Sequence, residues 1–361
     1  ELEDNSAIIS NKITDIFLGE FKNHVIVMEC PENNHFKLED YTLNKKPLKE
    51  YMPWAVSSYQ SQLKWLKDVQ DDSVPYINLV TNTGIYAAAF GCPIKDFQNS
   101  RPAALHIVNN AAQAEKIKLP DYSNCYELTR ILEFAQLLVK EMGDDVPISV
   151  PDIQSPFDIV AQIWNKEDLF ISLIEYPEIV LELVEKCKKL LTDFLTEYIK
   201  VVPNLSTICC MNFWGPRELG INVSEDEAGS MSKEAFEKFC LPSLIDLSNT
   251  FNGFVLHCCA SADHVNGSFC KIPNLYGQNR IIKGYNENVF LYNPVSSILD
   301  FPDDVVRMVG WFNEDAVKTI LKTARQKTRF LFQMAELPLD EAKRTLENVR
   351  NLCNNKVNGL L

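Results

Sequence analysis

The sequence lacks any uncharged apolar run that could span a membrane. The longest such runs, for example IYAAAFG at 85–91, are far shorter than the roughly 20 residues that a membrane helix requires. The N-terminal residues lack the basic and then apolar pattern of a secretory signal. No G-x-G-x-x-G motif follows an apolar run, so the fingerprint of a dinucleotide-binding domain is missing as well. We therefore expect a protein that is neither secreted nor inserted in a membrane.

Positive charge is scarce. The 35 lysines and arginines are outnumbered by 49 aspartates and glutamates, which gives a formal net charge of −14. Binding to nucleic acid or to an anionic membrane surface would need clustered basic residues, so neither partner is expected. The eleven cysteines are odd in number and scattered, with adjacent pairs at 209–210 and 258–259. This usage is typical of a reducing cytoplasm, such as that of an anaerobe, rather than of a disulfide framework.

Short apolar runs alternate with helical patterns along most of the chain. The β-rich runs lie at 74–80, 103–110, 147–153, 206–214, 254–259, 275–279, 288–293 and 329–335. Helical patterns lie at 125–143, 177–202, 232–251, 302–309, 313–326 and 339–352. About eight such units predict a single (β/α)8 TIM barrel of the α/β class, with a doubly wound open sheet as the alternative. We place the barrel at 56–361 and an N-terminal extension packed on it at 1–55, with a short strand at 23–30.

Candidate site residues follow from this barrel, because the active site of a β/α barrel lies at the C-terminal ends of its strands. Polar residues that end an apolar run are Asn82, Asp152, Gln154, Asn212, Trp214, His257, Cys259, Gln278, Asn279 and Glu336. The charged loop at 214–230 is expected to line the substrate cavity, with Asp226 and Arg217 available to anchor or protonate a substrate. Trp214 could stack on a ligand or only cap the rim of the barrel.

The stretch GFVLHCCASADH at 253–264 raises the question of a metal site. His257 and Cys259 are two residues apart, so on a strand both side chains point to the same side. An imidazole and a thiolate are zinc ligands, and a helix that begins just after Cys259 would favour the thiolate. The alternative is that both are ordinary core side chains, since free cysteine is among the most buried residue types. Cys258 would face the other way and pack.

Three blocks in order resemble the uroporphyrinogen decarboxylase superfamily. They are SVPDIQSPFDIVAQIWNKEDLF, then NFWGPRELGINVSEDEAGSMSKEAFEKFCLPSLIDL, then GFVLHCCASADH with IPNLYGQN. The resemblance runs from about Val74 to Leu352. This superfamily includes the decarboxylases and the cobamide-dependent methyltransferases, and it implies a β/α barrel.

The decarboxylase branch carries an arginine-rich N-terminal segment that holds the acidic arms of the tetrapyrrole. A substrate with eight carboxylates requires clustered cations of this kind. The corresponding segment here, VIVMECPENNHFKLEDYTLNKKPLKEYMPW, contains no arginine and is rich in acids. The resemblance is therefore closer to the methyltransferase branch.

That branch holds zinc through an H-x-C step at the end of one strand and a second cysteine late in the barrel. His257 and Cys259 match the H-x-C step, whereas Ala335 stands at the place of the late cysteine and Glu336 is the candidate third ligand. The resemblance implies methyl transfer between a corrinoid, supplied as methylcobalamin or on a partner protein, and a small acceptor such as a thiol. Substrate or cofactor contacts are expected from Gln154, Asn212, Trp214, Gln278 and Asn279.

Two other functions remain open at this point. One is a carboxy-lyase of tetrapyrrole metabolism, and the other is a non-catalytic barrel that binds a corrinoid or a tetrapyrrole. A site without zinc would need a general base to activate the acceptor, and Asp226 is the candidate. A homodimer is compatible with all three functions.

Overall fold

The computed structural model describes residues 2–31, 43, 46–79, 81–97, 100–211, 213–280, 285–286, 289–290 and 300–361. Within these residues the strands are β1 (Val25–Met28), β2 (Ile94–Phe97), β3 (Ser100–Ala104), β4 (Ile148–Ser149), β5 (Leu205–Ser206), β6 (Ile221–Ser224), β7 (Phe254–Cys258), β8 (Leu275–Arg280), β9 (Tyr285–Asn286), β10 (Val289–Phe290), β11 (Val306–Phe312) and β12 (Phe330–Met334). The α-helices span Leu2–Leu18, Met52–Val69, Ile85–Ala89, Ala111–Ala114, Tyr126–Met142, Pro156–Ile163, Lys166–Glu175, Pro177–Val201, Lys233–Phe239, Leu241–Phe251, Asn266–Phe269, Glu314–Thr323 and Leu339–Val357. None of these helices combines the length and the apolar character that crossing a membrane requires.

Six strands form one parallel sheet in the order β1-β12-β11-β8-β7-β6. Beyond β6 the wall continues through a parallel bridge between Gln154 and Ser224, then through the parallel pair β4–β5 and a bridge between Ile77 and Ile148. Parallel strands that follow one another around a wall, with helices between them, are the arrangement of a TIM barrel. The predicted (β/α)8 barrel of the α/β class is confirmed.

The sheet is buried on both faces, because helices cover its outside and side chains fill its inside. Along β7, Val255 packs inside the barrel while Leu256 packs with the outer helices. Toward the N-terminal ends of the strands the interior is apolar, and Ile13 and Phe17 of the first helix pack against it. Toward the C-terminal ends the buried inward positions become polar, with Asn222, Ser224, His257, Asn279 and Gln333. This polar layer marks the end of the barrel where a site can form.

Among the described residues, the edge of β1 that does not pair with β12 is covered by Asp71 and Asp72, and the Asp72 amide donates a hydrogen bond to the Ile26 carbonyl oxygen at 3.0 Å. The Asp72 side chain accepts a hydrogen bond from the Ile26 amide at 2.8 Å, and that of Asp71 accepts one from the Met28 amide at 2.6 Å. These carboxylates satisfy buried amides that would otherwise lack partners. The strand itself precedes the proposed domain boundary at residue 55, so the segment assigned to the extension contributes a strand to the barrel sheet.

The helix predicted at 302–309 is wrong, because the second half of that segment belongs to strand β11 and the first half is turn and coil. Both faces of β11 are buried over Val306–Val309, so the sequence shows no strand alternation there. Arg307 is fully buried on the outer face, where its guanidinium donates hydrogen bonds to the carbonyl oxygens of Phe301, Pro302 and Val305. Because Arg307 interrupts the apolar run, the segment is difficult to recognise as a buried strand from the sequence.

Two further β-rich runs do not become barrel strands as predicted. In 103–110, only the end of β3 is strand, and it pairs in an antiparallel hairpin with β2. In 206–214, the strand ends at Ser206 and the chain turns back, so that the Thr207 amide donates to the Gly215 carbonyl. Strand β6, which lies within the segment predicted to be a loop, joins the sheet instead. Most of the run at 288–293 lies outside the described residues.

Candidate metal and thiol site

The candidate site lies at the C-terminal ends of three neighbouring strands. Ser224 of β6, His257 of β7 and Asn279 of β8 are side by side in the sheet. Asp226 follows β6 and Cys259 follows β7, each two residues beyond the aligned position. The parallel register therefore brings together residues that are more than thirty positions apart in the sequence. Among the described residues, ligand atoms of Asp226, His257 and Cys259 all lie within 4.8 Å of one another.

The orientation of the His257 ring is fixed by hydrogen bonds. Asn279 donates its side-chain amide to the Met308 carbonyl oxygen at 2.8 Å, which directs its own oxygen toward His257 Nδ1 at 2.6 Å. Since that oxygen can only accept, the ring proton resides on Nδ1. The lone pair of Nε2 is then directed at the Cys259 sulfur, 2.9 Å away. This is the tautomer that a metal-binding histidine adopts.

Asp226 is held in place from behind by a second carboxylate. Asp158, in the first turn of helix Pro156–Ile163, accepts hydrogen bonds from the amides of Asp226 and Glu227 at 2.8 and 2.9 Å. Asp226 in turn accepts a hydrogen bond from the Cys259 amide at 2.5 Å. Burial raises the pKa of Asp158 well above its usual range, and it raises the pKa of the neighbouring Glu225 to about 8. The loop after β6 is thus anchored at Asp226.

The structure brings together five of the residues predicted from the sequence. Asp226, His257 and Cys259 form the three-residue group, and Asn279 holds the histidine. Gln154 lies in the same layer, bridged to Ser224, and donates a hydrogen bond to Asp152 at 2.8 Å. Asp226, predicted as a base or an anchor, thus occupies the position for which Glu336 was the candidate.

The other predicted residues lie elsewhere. Glu336 is exposed and does not belong to the group. Arg217 is exposed and precedes β6, at the opposite end of that strand from Asp226, where it donates to backbone carbonyls. Gln278 shares the outer face of the sheet with its neighbours Leu256 and Arg307. Trp214 packs in the apolar interior with the first helix. Asn212 lies outside the described residues.

The structure adds residues that the sequence did not single out. Cys210 is half-buried, with its sulfur 3.6 Å from the Ser224 hydroxyl and 3.9 Å from Asp152. The Asn222 side chain accepts hydrogen bonds from the amides of both Cys209 and Cys210. The Ser-x-x-Asp pattern at Ser155 signals a helix start, but it gives no sign that Asp158 reaches the loop after β6. Such contacts depend on packing between distant segments.

The donor set suits a zinc ion. It offers one nitrogen, one sulfur and one carboxylate oxygen, and three protein ligands with an open fourth position are typical of catalytic zinc. In a tetrahedral site the nitrogen and sulfur would be about 3.5 Å apart, which follows from bond lengths of about 2.0 and 2.3 Å. The observed 2.9 Å requires only a small separation of the two side chains. The half-buried Cys259 leaves one side of the group open.

A family model and two solved structures are similar to this chain. The family model for uroporphyrinogen decarboxylase (URO-D) matches residues 73–274, a stretch that contains Asp226, His257 and Cys259. A methyltransferase from Methanosarcina mazei has a similar structure, with a TM-score of 0.64 at 14% sequence identity, covering 95% of this chain and 98% of that one. A B12-independent methionine synthase from a Shewanella species gives a TM-score of 0.41 at 9% identity over 87% of this chain and 91% of that one.

No curated protein matches the sequence. At 14% identity, the likeness to the Methanosarcina mazei methyltransferase establishes a shared fold and nothing finer. The family model, in contrast, covers more than half of the 361 residues. The chain belongs to the uroporphyrinogen decarboxylase family.

Proposed function

We propose that this chain is a methyltransferase that moves a methyl group between a corrinoid and a small thiol. A zinc ion held by Asp226, His257 and Cys259 would serve as its centre. The observation that carries the proposal is the convergence of a nitrogen, a sulfur and an oxygen donor within 4.8 Å at the C-terminal end of the barrel. The sequence resembles the methyltransferase branch of the superfamily, and one of the similar solved structures is that of a methyltransferase.

The chain's own residues prepare the site in two ways. Asn279 keeps the proton of His257 on Nδ1, so Nε2 is available as a ligand without a prior proton transfer. Asp158 holds the backbone at Asp226, which keeps the carboxylate beside the Cys259 amide. Zinc, when bound, would lower the pKa of an acceptor thiol so that it reacts as a thiolate. The corrinoid would reach the open end of the barrel as methylcobalamin or on a partner protein.

The surroundings of the site favour this reaction over tetrapyrrole decarboxylation. Among the described residues, the side chains that make hydrogen bonds around the three-residue group are acidic or neutral, namely Asp152, Gln154, Cys210 and Asn279, and the positive charge of the exposed Arg101 acts on Asp152. Arg217 lies away from it. A substrate with eight carboxylates would be repelled by such a lining, since it needs bidentate cations. The site accordingly fits a small acceptor better than a polyanionic macrocycle.

Metal analysis combined with a methyl-transfer assay tests the proposal. Protein purified under reducing conditions should hold about one zinc ion per chain. His257→Ala, Cys259→Ala and Asp226→Asn should each lower zinc content and abolish demethylation of methylcobalamin by 2-mercaptoethanesulfonate, followed by absorbance. Cys270→Ser is the matched control, because it removes a half-buried thiol outside the group. Glu336→Gln should leave zinc content unchanged.

Two results would contradict this function. The first is wild-type protein that contains no zinc and cannot be loaded with it. The second is turnover of uroporphyrinogen in the absence of any reaction with methylcobalamin, which would assign the chain to the carboxy-lyases. Corrinoid binding without turnover would point to a binding protein.

A further inference from the structure

The chain contains two pairs of adjacent cysteines, and the structure arranges them differently. Cys258 ends β7 and Cys259 follows it, so their side chains point to opposite faces of the sheet. The Cys258 side chain packs with the outer helices, whereas the Cys259 sulfur lies 2.9 Å from His257 Nε2. Cys209 and Cys210 instead lie where the chain bends after β5, and their sulfur atoms are 3.6 Å apart. This second pair is a vicinal dithiol, and the proposed chemistry does not use it.

The backbone at this dithiol is held in a strained bend. Met211, which follows it directly, has a φ of +108°, a value that residues other than glycine rarely adopt. The side-chain oxygen of Asn222 accepts hydrogen bonds from the amides of Cys209 and Cys210, at 3.2 and 3.1 Å. The side-chain nitrogen of Asn222 donates to the Val255 carbonyl oxygen at 3.1 Å. Asn222 thus ties the bend to the sheet, and the two sulfur atoms are kept near one another.

The two thiols differ in their access to solvent. Cys209 is 6% exposed, whereas Cys210 is half-buried. The Cys210 sulfur lies 3.6 Å from the hydroxyl of Ser224, which is aligned with His257 in the sheet, so Cys210 belongs to the polar layer of the candidate site. The hydrogen bond with Cys209, burial and the charge of Asp152 raise the pKa of Cys210 well above its usual range. Its reactive thiolate is therefore scarce at neutral pH, and its reactions are slow.

We propose that Cys209 and Cys210 are a redox site that closes to a vicinal disulfide, with a small organic disulfide as the oxidant. The thiolate of Cys210 attacks one sulfur of the oxidant, which forms a mixed disulfide and releases one thiol. The sulfur of Cys209 then attacks that of Cys210 and releases the second thiol. The two cysteines lose two electrons and two protons, and the two released thiols gain them. Neither zinc nor methyl transfer takes part in this reaction, so it occurs whether or not the proposed function is correct.

Closure should be reversible and should alter the polar layer. The Cα atoms of adjacent residues are about 3.8 Å apart, less than the roughly 4.4–6.8 Å of ordinary disulfides. A bond of this kind is strained, and strained disulfides are readily reduced. Closure shortens the distance between the two sulfur atoms from 3.6 Å to about 2.05 Å. The contacts of Cys210 with Ser224 and Asp152 must then change, so the oxidised site differs in shape from the reduced one.

Peptide mass spectrometry of protein treated with 2-hydroxyethyl disulfide tests this inference. The folded protein is treated and quenched in acid, and its remaining thiols are then alkylated in denaturant. Trypsin should release residues 201–217, which contain Cys209 and Cys210 and no other cysteine. We expect this peptide to be free of alkyl groups and lighter than the dithiol peptide by two hydrogen atoms, and dithiothreitol should restore the dithiol. No disulfide should form between Cys258 and Cys259, because their side chains point apart.

Two serine variants test the order of attack. Cys209→Ser should accumulate a mixed disulfide of mercaptoethanol on Cys210, because no second thiol displaces it. Cys210→Ser should stay reduced at Cys209, because that thiol is buried. Cys270→Ser is the matched control, since it removes a half-buried thiol elsewhere and should leave the rate of closure unchanged. Circular dichroism of each variant verifies that it is folded.

Three results would overturn the inference. The first is a 201–217 peptide that remains fully alkylated after treatment with excess oxidant. The second is a mixed disulfide on Cys210 of the wild type that persists without closure. The third is equal closure of Cys258 with Cys259, which would show that adjacency in the sequence, rather than the bend after β5, decides the reaction. Oxidation of Cys209 in Cys210→Ser as fast as closure in the wild type would contradict the assignment of Cys210 as the attacking thiol.

Discussion

His24 should make the stability of this barrel fall in mild acid. The residue lies just before β1 and is 1% exposed. Its ring contacts Phe21 and Phe330, with centroid distances of 5.1 and 5.6 Å, and Nδ1 accepts a hydrogen bond from the Phe330 amide at 3.3 Å. Burial, assisted by the positive charges of Lys356 and Lys12, lowers the pKa of His24 from 6.5 to about 3.

The sign and size of the effect follow from this pKa. An unfolded histidine binds a proton near pH 6.5, whereas the folded one does not until about pH 3, so protons favour the unfolded chain. The contribution of His24 is fully present above pH 6.5 and is lost as the pH falls from 6.5 toward 3. The slope is about 1.4 kcal/mol per pH unit in that window, which gives a loss of about 2 kcal/mol between pH 7 and pH 5.

Urea unfolding followed by circular dichroism at pH 7 and pH 5 measures this loss. In His24→Asn, the loss of unfolding free energy between the two pH values should be smaller than in the wild type by about 2 kcal/mol. The variant will be less stable at both pH values because a ring is removed, so the difference between pH values is the informative quantity. His106→Gln, at an exposed histidine, should keep the wild-type loss. An equal loss in the wild type and His24→Asn would refute the reasoning.

Two other substitutions test the site and the turn before β6. Asn279→Leu removes the acceptor that fixes the histidine tautomer, so zinc affinity measured by competition with a chromophoric chelator should fall by about 10–100-fold; Gln278→Leu, on the outer face, should leave it unchanged. Gly220→Ala should destabilise the fold by about 2–4 kcal/mol in urea, because the residue has a φ of +78° and a Cβ there would collide with the backbone of Gly253. Gly143→Ala, with a φ of +97° and no atom within 4 Å, should cost only about 1–2 kcal/mol, and equal costs at the two glycines would contradict the steric argument.

The sequence predicted the barrel and two of the three residues of the proposed metal group for local reasons. The apolar run that ends abruptly in His257 and Cys259 indicates a strand, and it also indicates that these two side chains lie at the end of that strand. The same logic placed Asn279 at the end of β8, although only the register with β7 shows that it holds the histidine. The spacing of two residues alone was enough to predict that His257 and Cys259 point to the same side of one strand.

The third residue of the proposed metal group could not be found in this way. Asp226 follows β6, a strand of four residues buried on both faces, which has no alternation to distinguish it from a loop. Glu336 was the candidate because it follows Ala335, which stands at the place of the late cysteine of the methyltransferase branch, but the chain leaves β12 with the Glu336 side chain exposed. Similarly, the assignment of Arg217 depended on taking 214–230 as one loop, whereas β6 separates Arg217 from Asp226.

Zinc K-edge X-ray absorption of the metal-loaded protein tests the central claim most directly. We expect one sulfur at about 2.3 Å together with nitrogen and oxygen ligands at about 2.0–2.2 Å, and loss of the sulfur shell in Cys259→Ser. A spectrum with several sulfurs, or one that Cys259→Ser does not change, would contradict the assignment of Asp226, His257 and Cys259 as the metal centre.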